Sequence, residues 1–142
     1  QGMETLPLRM ERHCENANKV ADFLAAHPKV TKVIHPSKQD GESRHRADTY
    51  LKGGYGSLMG FELAGGKDAG ETFINALELF YHVANIGDTR SLAIHPATTT
   101  HSQLSEADRL SSGVTDGYVR LSIGIEHIDD ILADLTQALD KA

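Results

Sequence analysis

The sequence contains few of the residues that mark secreted or membrane proteins. It has one cysteine, Cys14, among 142 residues and no tryptophan. A single cysteine excludes an internal disulfide and fits a reducing compartment. No apolar run approaches the roughly 18 residues of a membrane-spanning helix, and the first residues resemble no signal peptide. We therefore expect a cytoplasmic protein that does not bind membranes.

Positive charge is also scarce. Lys and Arg number 14 against 20 Asp and Glu, which gives a formal net charge of −6 at pH 7. An acidic chain without a basic cluster is a poor candidate for binding nucleic acid. None of the eight histidines forms a pair at i, i+4 spacing, and no second cysteine is present, so we predict no metal site.

The residues that are present predict one globular domain, with helices and strands in alternation. Apolar spacing predicts helices after Thr5, over 69–80 and over 128–139, with weaker helical segments at 44–51 and 105–110. Alternating or β-branched runs predict strands at 30–34, 57–63, 83–86, 92–94 and 118–123. The connections are too tight and irregular for repeated βαβ units. We predict an α+β fold, with a small, mainly antiparallel sheet and helices packed on one face.

The strand at 118–123 carries the main candidate for ligand binding. Period-two alternation places Val119, Leu121 and Ile123 on one face, against the helices, and sends Tyr118, Arg120 and Ser122 to the other. A mid-strand arginine stands on a stiff support, and its planar guanidinium suits a carboxylate. The alternative is a cross-strand ion pair or a solvated arginine.

The segment 84–89, Ala-Asn-Ile-Gly-Asp-Thr, is a second candidate. The amide of Asn85 and backbone N–H groups at a tight turn are suited to an anion. The alternative is a purely structural turn, in which Gly87 supplies an unusual backbone angle and Asp88 caps it. The hydroxyl run Thr98 to Thr100 can bind a ligand, but such runs more often satisfy local backbone groups.

Three stretches together resemble the C-terminal domain of the Cys/Met-metabolism enzymes that depend on pyridoxal phosphate (PLP). They are 4–17, 84–102 and 119–130, and the resemblance extends over about 2–139. Enzymes of that family pair a large domain, which holds the cofactor, with a small C-terminal α+β domain. The resemblance implies that 1–142 is a single C-terminal, substrate-binding domain, and that PLP is bound by a large domain outside this chain.

The resemblance also assigns roles to individual residues. It implies that Arg120 binds the α-carboxylate of an amino-acid substrate, with Asn85 beside it and the backbone of Ile86 assisting. Ala84 matches a position that helps set substrate preference. The Ala-Asn-Ile-Gly-Asp form, followed by Ile-His-Pro-Ala-Thr-Thr-Thr-His, looks most like the O-acetylhomoserine sulfhydrylase branch, which replaces acetate with sulfide to give homocysteine. The family also implies a homo-oligomer, typically a tetramer.

The seven lysines lie outside the sequence context of the family's PLP lysine. We therefore expect no catalytic, cofactor-binding or metal-binding residue in this chain, and no activity from it alone. The alternatives within the family are a methionine gamma-lyase and a cystathionine gamma-synthase or lyase. A free-standing amino-acid-binding module and a scaffold domain are alternatives from other classes.

Overall fold

The computed structural model describes residues 1–142. The helices are α1 (Leu6–Ala26), α2 (Gly41–Tyr50), α3 (Gly66–Ala76), α4 (Glu106–Ser111) and α5 (Ile128–Lys141). The strands are β1 (Val30–Ile34), β2 (Leu58–Leu63), β3 (Tyr81–His82), β4 (Leu92–Ile94) and β5 (Tyr118–Ser122). Short 3₁₀ turns occupy Pro36–Lys38 and Pro96–Thr98.

The five strands form one sheet in the order β1-β2-β5-β4-β3. The pairs β1–β2, β2–β5 and β4–β5 are antiparallel, and the pair β3–β4 at the edge is parallel. The predicted α+β fold with a mainly antiparallel sheet is confirmed. In this register Gly60 on β2 and Ile94 on β4 both lie opposite Arg120 on β5. Residues paired in this way share a face of the sheet, so Arg120 is flanked by a glycine on one side.

The core lies between the sheet and the helices α1, α3 and α5. Alternate residues of β5 and its extension point into it, and Val119, Leu121 and Ile123 are fully buried there. From β2, Phe61 meets Phe73 of α3 edge to face, with the ring centroids 5.3 Å apart. The predicted assignment of the two faces of β5 is therefore confirmed, and the face that carries Arg120 is the one turned away from this core.

The segment between α3 and β4 differs from the sequence prediction. Helix α3 ends at Ala76 instead of continuing to 80, because Leu77 is extended. The strand predicted at 83–86 is wrong: the edge strand is Tyr81–His82, and 83–86 lies in a loop. The physical reason is the carboxylate of Asp134 on α5, which accepts three consecutive backbone N–H groups, those of Glu78, Leu79 and Phe80. These bonds replace helical ones and turn the chain early into the sheet.

No helix of the chain combines the length and the apolar character that crossing a membrane requires. The structure also brings together no group of three or more His, Cys, Asp or Glu side chains that could hold a metal ion.

Candidate functional site

Arg120 lies at the centre of β5 with its side chain on the face opposite the core. Its Nη2 donates a hydrogen bond to the backbone oxygen of Asn85 at 3.1 Å. No carboxylate forms an ion pair with it, whereas Arg12, Arg44, Arg46, Arg90 and Arg109 all have acidic partners. A guanidinium has five N–H groups. Most of those of Arg120 therefore remain free to bind a ligand.

The neighbouring strand has no side chain beside this arginine, and the ring of Tyr118 covers the position instead. Gly60 lies opposite it, and a Cβ at Gly60 would overlap the ring of Tyr118, which crosses the position. Burial raises the pKa of the Tyr118 hydroxyl, while the nearby charge of Arg120 lowers it and that of Glu62 raises it. The uncharged ring of Tyr118 therefore lies beside the guanidinium of Arg120.

The loop 83–91, which joins β3 to β4, lies against this face. The side-chain Oδ1 of Asn85 accepts the N–H of Ile86 at 2.9 Å, which leaves the Nδ2 group of Asn85 without a partner. Gly87 has a φ of 72° and donates its N–H to Ser122 Oγ at 3.1 Å. Because β5 supplies both Ser122 and Arg120, one strand face holds the middle of the loop.

Three of the four residues predicted for the site therefore lie together. Arg120 contacts Asn85 directly, and Ile86 is joined to Asn85 and is 57% exposed. Ala84 precedes them on the same loop and is exposed. The binding roles of these residues remain predictions, since the geometry shows only that they are near one another and accessible.

Asp88 and Arg90 neutralise each other at the end of the loop. The carboxylate of Asp88 accepts the backbone N–H of Arg90 at 3.0 Å and pairs with its guanidinium at 3.2 Å. The hydrogen bond from Arg90 is the main reason that the pKa of Asp88 is lowered to about 2. The Arg90 guanidinium also lies over the ring of Tyr81, 4.5 Å from its centroid. Arg120 is consequently the unpaired cation of this surface, and Asp88 caps the turn, as the structural alternative for this segment describes.

The histidine and threonines that follow β4 are structural. His95 is fully buried, and its Nε2 lies 2.7 Å from the carbonyl oxygen of Asp116, so this nitrogen carries the proton. Burial lowers the pKa of His95. The hydroxyl of Thr98 lies 3.0 Å from His95 Nδ1, to which it donates, and the hydroxyl of Thr99 donates to the carbonyl oxygen of His95 at 2.8 Å. The hydroxyls of the run therefore bind local groups of the chain, those of His95 and His101, in agreement with its structural interpretation.

Sequence reasoning missed the residues that hold the loop. Ser122 is on the predicted face, but its bond to Gly87 was not foreseen. Glu126 carries no sequence signal for its position, yet its carboxylate binds the backbone N–H and the hydroxyl of Ser91 at 2.6 and 2.9 Å. Such contacts join residues 35 positions apart, so only the fold brings them together.

Comparison with known proteins agrees with this fold. The family model described as Cys/Met metabolism PLP-dependent enzyme matches residues 1–140. The chain belongs to that family. It is 54% identical over 140 residues to an O-acetyl-L-homoserine sulfhydrylase of Leptospira meyeri, covering 98% of this chain and 32% of that protein. It is 49% identical to a homocysteine synthase of Schizosaccharomyces pombe, covering 100% of this chain and 33% of that protein.

Solved structures show the same relation. A putative O-acetylhomoserine (thiol)-lyase from Campylobacter jejuni, containing N'-pyridoxyl-lysine-5'-monophosphate, superimposes with a TM-score of 0.91 at 42% identity, covering 99% of this chain and 33% of that one. A cystathionine gamma-lyase from Lactobacillus plantarum complexed with L-serine gives a TM-score of 0.89 at 36% identity, covering 99% and 36%. The chain thus spans about one third of the length of the relatives it matches.

The residues of this chain do not fit the family's cofactor. A PLP enzyme needs a lysine amine that can be deprotonated beside the ring. Lys19, Lys32 and Lys38 pair with carboxylates. Lys29, Lys52 and Lys141 donate to oxygen atoms of the chain, and Lys67 is exposed. None of the seven therefore has the surroundings that the cofactor's lysine requires.

Proposed function

We propose that this chain is the C-terminal substrate-binding domain of a PLP-dependent O-acetylhomoserine sulfhydrylase. The full enzyme would join the sulfur of sulfide to Cγ of O-acetylhomoserine, break the Cγ–O bond and release acetate, giving homocysteine. The observation that carries the proposal is the unpaired guanidinium of Arg120, held on a rigid strand beside Asn85. The similarity to sulfhydrylases at 49–54% identity supports the branch.

The chemistry of Arg120 fits the α-carboxylate of an amino acid. Its free N–H groups can form two parallel bonds to the carboxylate oxygens, and the unpartnered Nδ2 of Asn85 can donate a third. Ile86 adds an exposed apolar side chain at the same edge. These groups would fix one end of the substrate, so that its reacting carbon is held in one orientation. PLP, bound by a large domain outside this chain, would supply the electron sink.

The test is substitution of Arg120 in the full-length enzyme. Arg120→Ala removes the paired, charge-assisted bonds, each of which contributes about 1.5–3 kcal/mol. We expect kcat/KM for O-acetylhomoserine to fall by roughly 10²-fold or more. Bound PLP, measured by cofactor absorbance, should stay at one per subunit. Arg120→Lys should restore only part of the activity, because an ammonium cannot reproduce the planar fork.

The matched control is Arg46→Ala, since Arg46 is an exposed arginine of α2 that pairs with Glu42 on the same helix. Its kcat/KM should equal that of the wild type. Wild-type kcat/KM in Arg120→Ala would refute the assigned role. Loss of PLP from that variant would also refute it, because the arginine would then support the cofactor and not the substrate.

One other activity has specific support. The chain is 45% identical over 141 residues to an L-methionine gamma-lyase of Fusobacterium nucleatum. The two activities separate in one assay of the full-length protein. Homocysteine formed from O-acetylhomoserine and sulfide identifies the sulfhydrylase, and methanethiol released from L-methionine alone identifies the lyase.

The proposal also defines what the 142-residue chain does by itself. With no residue that fits PLP, it should turn over neither O-acetylhomoserine nor methionine. Its partners in the complete protein would be its own large domain and further copies of the same subunit. Turnover by the chain alone, or PLP trapped by borohydride reduction on one of its lysines, would contradict this part of the proposal.

A further inference from the structure

Glu126 binds the end of the 83–91 loop, and the proposed function gives it no role. Its Oε1 accepts the N–H of Ser91 at 2.6 Å, and its Oε2 accepts the Ser91 hydroxyl at 2.9 Å. Ser91 is fully buried, and its hydroxyl oxygen accepts the N–H of Gly124 at 2.9 Å. Three hydrogen bonds therefore join the last residue of the loop to the segment that follows β5.

This segment and the loop approach too closely for any side chain at position 124. A Cβ on Gly124 would overlap the Glu126 carboxylate and lie 2.5 Å from the nitrogen of Ser91 and the oxygen of Thr89. This close approach of the two segments also lets Ile125 donate its N–H to the backbone oxygen of Thr89 at 2.9 Å. The carboxylate of Glu126 therefore lies in a closely packed junction between the end of the loop, 89–91, and the segment 124–126.

Helix α1 fixes the backbone from which Glu126 projects. The Nδ2 of Asn16 donates to the carbonyl oxygens of Gly124 and Glu126 at 3.1 and 3.0 Å. His13 Nδ1 lies 2.6 Å from the carbonyl oxygen of Ile123, one residue earlier. Both side chains on α1 are buried, with 1% and 2% exposed. Glu126 is therefore held at its backbone by one element and at its side chain by another.

The middle of the loop has fewer bonds. Apart from its own local contacts, it is held through Gly87 to Ser122 and through Asn85 to Arg120, and the second of these bonds is exposed to solvent. A substrate carboxylate would bind the donors of Arg120 that the bond to Asn85 leaves free. The position of Asn85 in the bound state then depends on how firmly the ends of the loop are fixed.

We propose that Glu126 is a positioning residue for the substrate site. Acting through Ser91, it holds the 83–91 loop where Asn85 can meet a carboxylate bound to Arg120. The inference rests on the proposed function only in that Arg120 binds the carboxylate of an amino-acid substrate.

The experiment compares Glu126→Ala and Glu126→Gln in the full-length enzyme. Glutamine keeps the shape of the side chain and one acceptor for the Ser91 N–H but loses the charge, so it carries the test if the alanine variant does not fold. We expect KM for the amino-acid substrate to rise about tenfold in the alanine variant and about threefold in the glutamine variant, within what one charge-assisted bond supplies. The kcat, the KM for sulfide and the PLP content should not change. Asp140→Asn, an exposed carboxylate on α5 without a side-chain hydrogen bond, is the matched control.

The added substitution Ser91→Ala gives a second criterion. In the Glu126→Ala background it should raise KM no further, because the two residues act through one junction. An unchanged KM in both Glu126 variants overturns the proposal, as does a parallel loss of kcat and PLP, which marks a purely structural residue. If the wild type uses methionine and not O-acetylhomoserine with sulfide, the proposed reaction is wrong. The same KM comparison with methionine then still decides the role of Glu126.

Discussion

Replacing Asp134 should test how the chain is turned from α3 into the sheet. This side chain is 7% exposed and accepts the N–H groups of Glu78 and Leu79 at 2.9 Å and that of Phe80 at 3.3 Å. Asp134→Ala removes the acceptor of these three backbone N–H groups and of one N–H of the Gln137 amide. An unsatisfied buried donor costs about 1–3 kcal/mol, and water can reach all but that of Phe80, so we expect a loss of about 3 kcal/mol in the free energy of unfolding. Asp134→Asn retains one acceptor oxygen and should lose about half as much.

Urea unfolding of the 142-residue chain, followed by far-UV circular dichroism, measures both values. Circular dichroism is the suitable probe because the sequence has no tryptophan. A loss of about 3 kcal/mol corresponds to a fall of roughly 10 °C in Tm for a domain of this size. The control is Asp130→Ala, one turn earlier on α5 and exposed, which should cost less than about 1 kcal/mol. If Asp134→Ala costs no more than the control, the carboxylate does not hold the segment.

Two further predictions concern stability. Burial lowers the pKa values of His35 and His95, so the folded state takes up fewer protons than the unfolded state below about pH 6.5. The contribution of the two histidines to the free energy of unfolding is complete above that pH and is lost as the pH falls. Urea midpoints should therefore decrease from pH 7.5 to 5.5, and equal midpoints would contradict this prediction. Gly60→Ala forces a methyl group into the ring of Tyr118 and should cost about 1–3 kcal/mol by urea unfolding. Gly2→Ala, which meets no atom within 4 Å, is its control, and an equal effect would show that the ring moves freely.

The sequence predicts the parts of this fold that are encoded locally. The alternation over 118–123 separates Val119 from Arg120 because successive side chains of a strand point to opposite faces. The stripe of apolar residues over 128–139 predicts α5 in the same way. Both patterns need no knowledge of the rest of the chain, and the structure agrees with both.

The end of α3 could not be predicted in this way. Leu77 and Phe80 continue the helical spacing of apolar residues, and no glycine or proline lies between Ala76 and Phe80. The helix stops at Ala76 because a carboxylate more than 50 residues later binds the N–H groups of Glu78, Leu79 and Phe80. A stop signal of this kind exists only after the chain has folded.

The candidate site also has one part that the sequence predicts and another that only the fold determines. The position of Arg120 follows from its strand, but its lack of an acidic partner depends on where every carboxylate of the fold lies. Asp88, the nearest acid along the loop, is taken up by Arg90, its neighbour but one in the sequence. The carboxylate of Glu126 accepts hydrogen bonds from Ser91. Glu62, which lies on the same face of the sheet as Arg120, pairs with Lys32, so no carboxylate of the fold neutralises this guanidinium.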